Sequence, residues 1–123
     1  MKYKVLSTTS KTVSVVGLTK TTKKKKTITI KKTVKIMGVT FKITEIGNNA
    51  FASCKKLNKV TIGTNVTKIG KKAFYANNIV NIQFEDGLEE IGESAFERCE
   101  KLASVSLPDS VSSIGPRALY CLF

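Results

Sequence analysis

An Ile-Gly dipeptide returns at Ile46-Gly47, Ile69-Gly70, Ile91-Gly92 and Ile114-Gly115, at spacings of 23, 22 and 23 residues. A longer phrase travels with it: "IGNNAFASCKKL" from Ile46, "IGKKAFYANNI" from Ile69 and "IGESAFERCEKL" from Ile91. Setting the dipeptides in register aligns other columns. Ala50-Phe51, Ala73-Phe74 and Ala95-Phe96 match, and Ala118-Leu119 is their imperfect continuation. Cys54, Asn77 and Cys99 share a column, as do Leu57, Ile79 and Leu102, and so do Val66, Leu88 and Val111. No other feature constrains the fold as strongly. A short unit repeated at fixed period cannot bury its apolar face alone, so it must stack on its neighbours.

The alternating pairs Val60/Ile62, Ile82/Phe84 and Val105/Leu107 each send two apolar side chains inward and one polar residue out, as a strand does. A turn follows, then a second extended piece ending at Ile-Gly, then a short helical or 3-10 segment carrying Ala-Phe. The glycines of the Ile-Gly pairs are expected at sharp bends, often with positive φ. The phenylalanines are expected to stack through the interior. The period falls in the range of leucine-rich repeats. The predicted fold is therefore a leucine-rich repeat solenoid. It is β-rich, with short helical or 3-10 turns, a parallel strand ladder and an N-terminal β cap.

The columns "IGxxAFxxC", "LxxVxI" and "VxxIG" resemble the BspA-like subclass of leucine-rich repeats over about residues 44–118. The resemblance implies a right-handed solenoid with parallel strands. It also implies a protein that is secreted or attached to a bacterial surface, with adhesin-like roles among family members.

Residues 1–45 are read as a β-rich cap and residues 46–123 as repeats of 22–23 residues, the last one incomplete. Within the cap, "YKVL" (3–6) and "TVSVV" (12–16) suggest a hairpin or added strands, and Lys35 to Ile43 suggests two short strands around Met37-Gly38. Ile28/Ile30 followed by Val34 has the spacing of Val60/Ile62 followed by Val66. The ending "IGPRALYCLF" starts a fourth coil and stops inside it, so the chain reads as a truncated member, with self-association through an uncapped last coil as an expectation. No apolar run is long enough to cross a bilayer, and Met1 to Ser10 lacks the apolar stretch of a signal peptide. The protein is then either cytosolic or, as the resemblance implies, secreted or at the cell surface with its leader or anchor outside this chain.

Charge is unevenly distributed. Residues 1–72 hold 18 Lys against the single acid Glu45, whereas residues 73–123 hold three basic residues against eight acids. Lys20, Lys23, Lys24, Lys25, Lys26, Lys31 and Lys32 form the densest cluster, a candidate polyanion-binding site for a sulfated glycan. The bland alternative is a solvated loop. The cluster lacks the interleaved aromatics that stack bases, which argues against nucleic acid. A second candidate is the outward strip of the strand column, expected on the concave face: Thr29, Lys59, Thr61, Asn81, Gln83, Ser104 and Ser106. It has neither aromatic nor Arg anchors, which dominate interface energetics, so a merely solvated face is its alternative.

With no His, and with Cys54, Cys99 and Cys121 at no CxxC spacing, no metal, cofactor or catalytic set is assigned. Glu85, Asp86, Glu89, Glu90, Glu93, Glu97 and Glu100 sit at the variable outward positions of the coil, with no cleft for paired-carboxylate chemistry. Coils stack at about 4.8 Å, so Cys54 and Cys99, two coils apart, fall roughly 10 Å from each other. That is beyond the ~7 Å reach of a disulfide, and thiols bonded to neighbouring backbone are expected instead. Cys121 is placed to form an intermolecular disulfide. The function expected is a non-catalytic protein-interaction module, adhesin-like by resemblance, with a protein or extracellular-matrix ligand. A structural spacer and a polyanion binder are the alternatives.

Overall fold

The structure is a computed structural model and describes residues 1–120. It contains ten strands: β1 (Lys2–Ser7), β2 (Thr12–Gly17), β3 (Thr27–Ile30), β4 (Thr33–Ile36), β5 (Val39–Ile46), β6 (Lys59–Ile62), β7 (Lys68–Ile69), β8 (Asn81–Phe84), β9 (Glu90–Ile91) and β10 (Ser113–Ile114). A short 3-10 turn spans Thr22–Lys24.

Two parallel ladders run along the coil axis. One is β3-β6-β8, with Ile28, Val60 and Ile82 in one row and Ile30, Ile62 and Phe84 in the next. The other is β2-β5-β7-β9-β10, whose last rows carry Ile46, Ile69, Ile91 and Ile114. The three successive coils that hold β3 and β5, β6 and β7, and β8 and β9 each contribute one strand to each ladder, and their buried apolar members lie between the two. Phe51, Phe74 and Phe96 fill the space between the ladders and stack at 5.2 Å from ring to ring, with interplanar angles of 18° and 3°. Such pairs contribute about 0.5–1.5 kcal/mol beyond the area they bury.

Both expected hairpins form. β1 pairs antiparallel with β2, and β4 with β5, the latter through Met37 and Gly38, which both have positive φ. That is the backbone a two-residue hairpin loop requires. β2 does more than close the hairpin. It runs parallel to β5, with Val13 opposite Ile43 and Val15 opposite Ile46, and so supplies the first rung of the Ile-Gly ladder.

Three local expectations are corrected. The Ala-Phe segments are successions of tight turns rather than helical pieces. Positive φ falls at two positions per coil (Asn49 and Ser53, Lys72 and Ala76, Ser94 and Arg98), and a left-handed residue interrupts a helix. Among the glycines, positive φ falls at Gly38 and Gly87 and not at the Ile-Gly pairs. The latter are needed for closeness instead. A Cβ on Gly70 would lie 2.7 Å from the Asn48 amide nitrogen, and one on Gly92 would lie 2.7 Å from that of Lys71. Finally, Val105 and Leu107 form no strand. They remain half-buried, and Pro108 follows them without an N–H to offer.

Candidate functional site

The β3-β6-β8 ladder presents two outward rows in strict register. Thr27, Lys59 and Asn81 form one, and Thr29, Thr61 and Gln83 the other. Alternation along each strand puts these side chains outside because Ile28, Val60 and Ile82, with Ile30 and Ile62, are buried. Thr61 is half-buried between its neighbours and the other five are exposed. Of the strip expected from sequence, Thr29, Lys59, Thr61, Asn81 and Gln83 are brought together on strands. Ser104 and Ser106 are exposed but lie in the segment that forms no strand.

The expected lysine cluster divides. Lys20, Lys23 and Lys24 line one groove of about 470 Å³, together with Ala52, Ser53, Cys54, Lys55 and Lys56. Lys25 and Lys31 line a different groove of about 570 Å³, where Met1, Tyr3, Ile28, Val34 and Lys35 join them. Lys26 and Lys32 line neither. Burial raises the Tyr3 hydroxyl above its ordinary pKa, so it stays protonated at the edge of the second groove.

The segment bearing the first lysines is wound, not loose. Thr19 and Thr22 join hydroxyls at 3.0 Å, the Thr22 hydroxyl donates to the Thr19 carbonyl at 3.2 Å, and the amides of Lys23, Lys24 and Lys25 each reach a carbonyl within the turn. Lys55 and Lys56 were missed as partners from sequence, although a signal was present. Ile28 pairs with Val60, and Lys23-Lys24 precede Ile28 by the same interval that Lys55-Lys56 precede Val60. The two lysine pairs therefore occupy the same columns of successive coils.

The cysteine column behaves as expected at one of its ends. Cys99, buried, donates its thiol to the Phe74 carbonyl at 2.9 Å, and Asn77 donates Nδ2 to the Phe51 carbonyl at 2.6 Å. Both bonds cross to the preceding coil. Cys54 makes only a long contact within its own turn, 3.9 Å to the Ala52 carbonyl, and lies half-buried in the lysine groove. Burial pushes its thiol pKa up, and Lys23 pulls it partly back. Neither Cys54 nor Cys99 is in a disulfide. Cys121 lies outside the described residues.

Acidic side chains of the later coils lie mostly on the surface. Glu93 pairs with Lys71 at 3.2 Å and Glu97 with Arg117 at 3.7 Å. The β7 residue Lys68 sits between Glu45 of β5 and Glu90 of β9, so opposite charges alternate along that ladder.

Residues 20–122 match, in six copies, the family model described as BspA type leucine-rich repeat region. Among solved structures, a leucine-rich repeat protein from Bacteroides capillosus superposes with a TM-score of 0.83 at 24% identity, covering 91% of this chain and 80% of the other. A leucine-rich cell surface protein from Faecalibacterium prausnitzii gives 0.82 at 26% identity, over 97% of this chain and 32% of that one. The Treponema pallidum leucine-rich repeat protein gives 0.75 at 27% identity, over 93% and 50%. The chain thus spans half of the treponemal protein and about a third of the cell surface protein. No curated protein matches its sequence. No helix among the described residues is long and apolar enough to cross a membrane.

Proposed function

The chain belongs to the BspA-type leucine-rich repeat family, and from that premise we propose that it is a non-catalytic protein-interaction module of a secreted or cell-surface bacterial protein, adhesin-like in role. The observation that carries this reading is the pair of uninterrupted polar rows on β3-β6-β8, held in register by the buried ladder behind them. A stacked strand face of this kind offers an extended, rigid contact surface. The likeness to a leucine-rich cell surface protein supports the location. In this reading residues 1–45 serve as the cap, since the β1-β2 hairpin ends one ladder.

A spacer role is favoured by a specific feature of the same strip. Thr27, Thr29, Lys59, Thr61, Asn81 and Gln83 include no aromatic residue and no Arg, the side chains that carry most hot-spot energy. Contact through this face is therefore weak per copy and gains from multivalency. Self-association through the last coil, where Ile114 of β10 is half-exposed, is a further element of the proposal. Light scattering across a concentration series tests it, and a constant monomer mass removes it.

Retention on an array of immobilised extracellular-matrix proteins, at low and at raised salt, separates the readings. Salt-resistant retention on one protein supports the interaction module. No retention on any supports the spacer.

A further inference from the structure

We propose that the groove between the Thr22–Lys24 turn and the 52–56 turn binds a sulfated glycan, through Lys23 and Lys24 from one coil and Lys55 and Lys56 from the next. This site is separate from the strand strip and does not depend on that strip being a docking face.

Lys23-Lys24 and Lys55-Lys56 precede the paired residues Ile28 and Val60 by the same intervals and line one groove, and just beyond them the coils are joined by backbone bonds from the Asn58 and Lys59 amides to the Lys26 carbonyl. Like charges gathered around one groove repel each other. Elsewhere the chain avoids this arrangement: the matching columns of the later coils hold Asn78 and the opposite-charge pair Glu100-Lys101, and Lys68 lies between two glutamates. No acid lines the groove, and Glu45, the one acid among residues 1–72, is on β5 beside Lys68. The lysine stack is thus without an internal counter-charge, and an anionic ligand supplies one.

The shape agrees. Five lysines surround a cavity of about 470 Å³ floored by Ala52, Ser53 and Cys54. The Thr19–Thr22 bonds fix the first wall, so little order has to be acquired on binding. Lys55 is the least available of the five, because its Nζ donates to the Ala76 carbonyl at 2.8 Å. Lysines, as compact point charges, suit several sulfates spread along a flexible chain better than one planar group held bidentately. The Ser53 hydroxyl is left for the sugar hydroxyls. No aromatic side chain lines the cavity, which removes the stacking that single-stranded nucleic acid uses.

The test is isothermal titration of the whole chain with a heparin-derived octasaccharide. The variant K23Q/K24Q/K55Q/K56Q is compared with K2Q/K4Q/K11Q/K42Q, which removes equal charge from exposed positions outside the groove. The groove variant is expected to lose about ten-fold or more in affinity and the control about three-fold or less, since contact charges outweigh distant ones across the Debye length. Equal losses would reduce the binding to overall charge and overturn the site. Single-stranded DNA or phosphatidylserine vesicles bound as tightly, and lost in the same variant, would overturn the ligand class. Lysine acetylation footprinting of the unaltered chain needs no variant: protection by the octasaccharide at Lys23, Lys24 and Lys56 supports the site, and unprotected lysines there contradict it.

Discussion

Cys99 donates its thiol hydrogen to the carbonyl of Phe74, one coil earlier, at 2.9 Å in a fully buried position. Asn77 reaches the Phe51 carbonyl in the equivalent way at 2.6 Å. One column thus joins successive coils through either a thiol or a carboxamide. Cys99→Ala removes the donor and some packing, and is expected to cost about 1–3 kcal/mol. Asn77→Ala should cost a similar amount, whereas Asn77→Cys should cost less, because the thiol restores a donor and removes the buried Oδ1 that has no partner. Urea melts of the three variants check the order, and Asn77→Cys melting below Asn77→Ala would refute the interchange.

The Ile-Gly glycines differ in how closely the neighbouring coil approaches. A Cβ on Gly92 meets backbone at 2.7 and 2.8 Å, but one on Gly47 meets its nearest atoms at 3.1 and 3.2 Å. Gly92→Ala is expected to destabilise by about 2–3 kcal/mol, and Gly47→Ala by about 1 kcal/mol or less. Thermal unfolding of both compares them directly. A smaller loss at Gly92 would mean that the coils separate easily.

Ser94 has φ 56° and a buried hydroxyl without a partner. Left-handed backbone costs an L-residue roughly 1–2 kcal/mol, and an unmet buried hydroxyl adds to that. Ser94→Gly relieves both, offset by the greater unfolded-state freedom of glycine. A net gain of about 1 kcal/mol is expected in a denaturant melt. Lys72→Gly shares the backbone conformation without a buried hydroxyl, so it should gain less.

The Cys54 thiol is held above its ordinary pKa by burial, with Lys23 acting in the opposite direction. Less of it is thiolate at mildly alkaline pH, so iodoacetamide should modify it more slowly than a small free thiol. Lys23→Gln removes a charge that favours the thiolate and should slow the reaction further. Peptide mass spectrometry resolves Cys54 from Cys99 and Cys121. Faster modification in the variant would show that Lys23 shields the thiol rather than acting on its charge.

Much of this architecture is legible from residues. The Ile-Gly and Ala-Phe columns locate both the ladder and the Phe51-Phe74-Phe96 stack, and Met37-Gly38 marks its hairpin turn. β2 as a rung of the ladder was not legible, because Val15 takes the place of Ile46 without any Ile-Gly phrase around it. The Ile-Gly glycines suggest φ freedom in sequence, but the requirement is the approach of the next coil, a tertiary distance that no local pattern reveals. Val105 and Leu107 carry strand alternation, yet alternation alone does not make a strand without a paired partner. For the lysine groove, the aligned positions of Lys23 and Lys55 were available. The contiguous run Lys23 to Lys26 masks that cross-coil alignment, because neighbours in sequence are more conspicuous than neighbours in register.

The two rows on β3-β6-β8 are the proposed docking face. The most direct measurement is surface plasmon resonance of the chain against whichever matrix protein retains it at raised salt, using Thr29→Arg/Gln83→Arg beside the unaltered chain. Both substitutions sit on exposed strand positions, so the fold should be kept, as circular dichroism would verify. The account predicts that binding falls about ten-fold or more, as bulk placed at a contact face does. Binding unchanged in that variant, or no matrix protein retained at all, would contradict it.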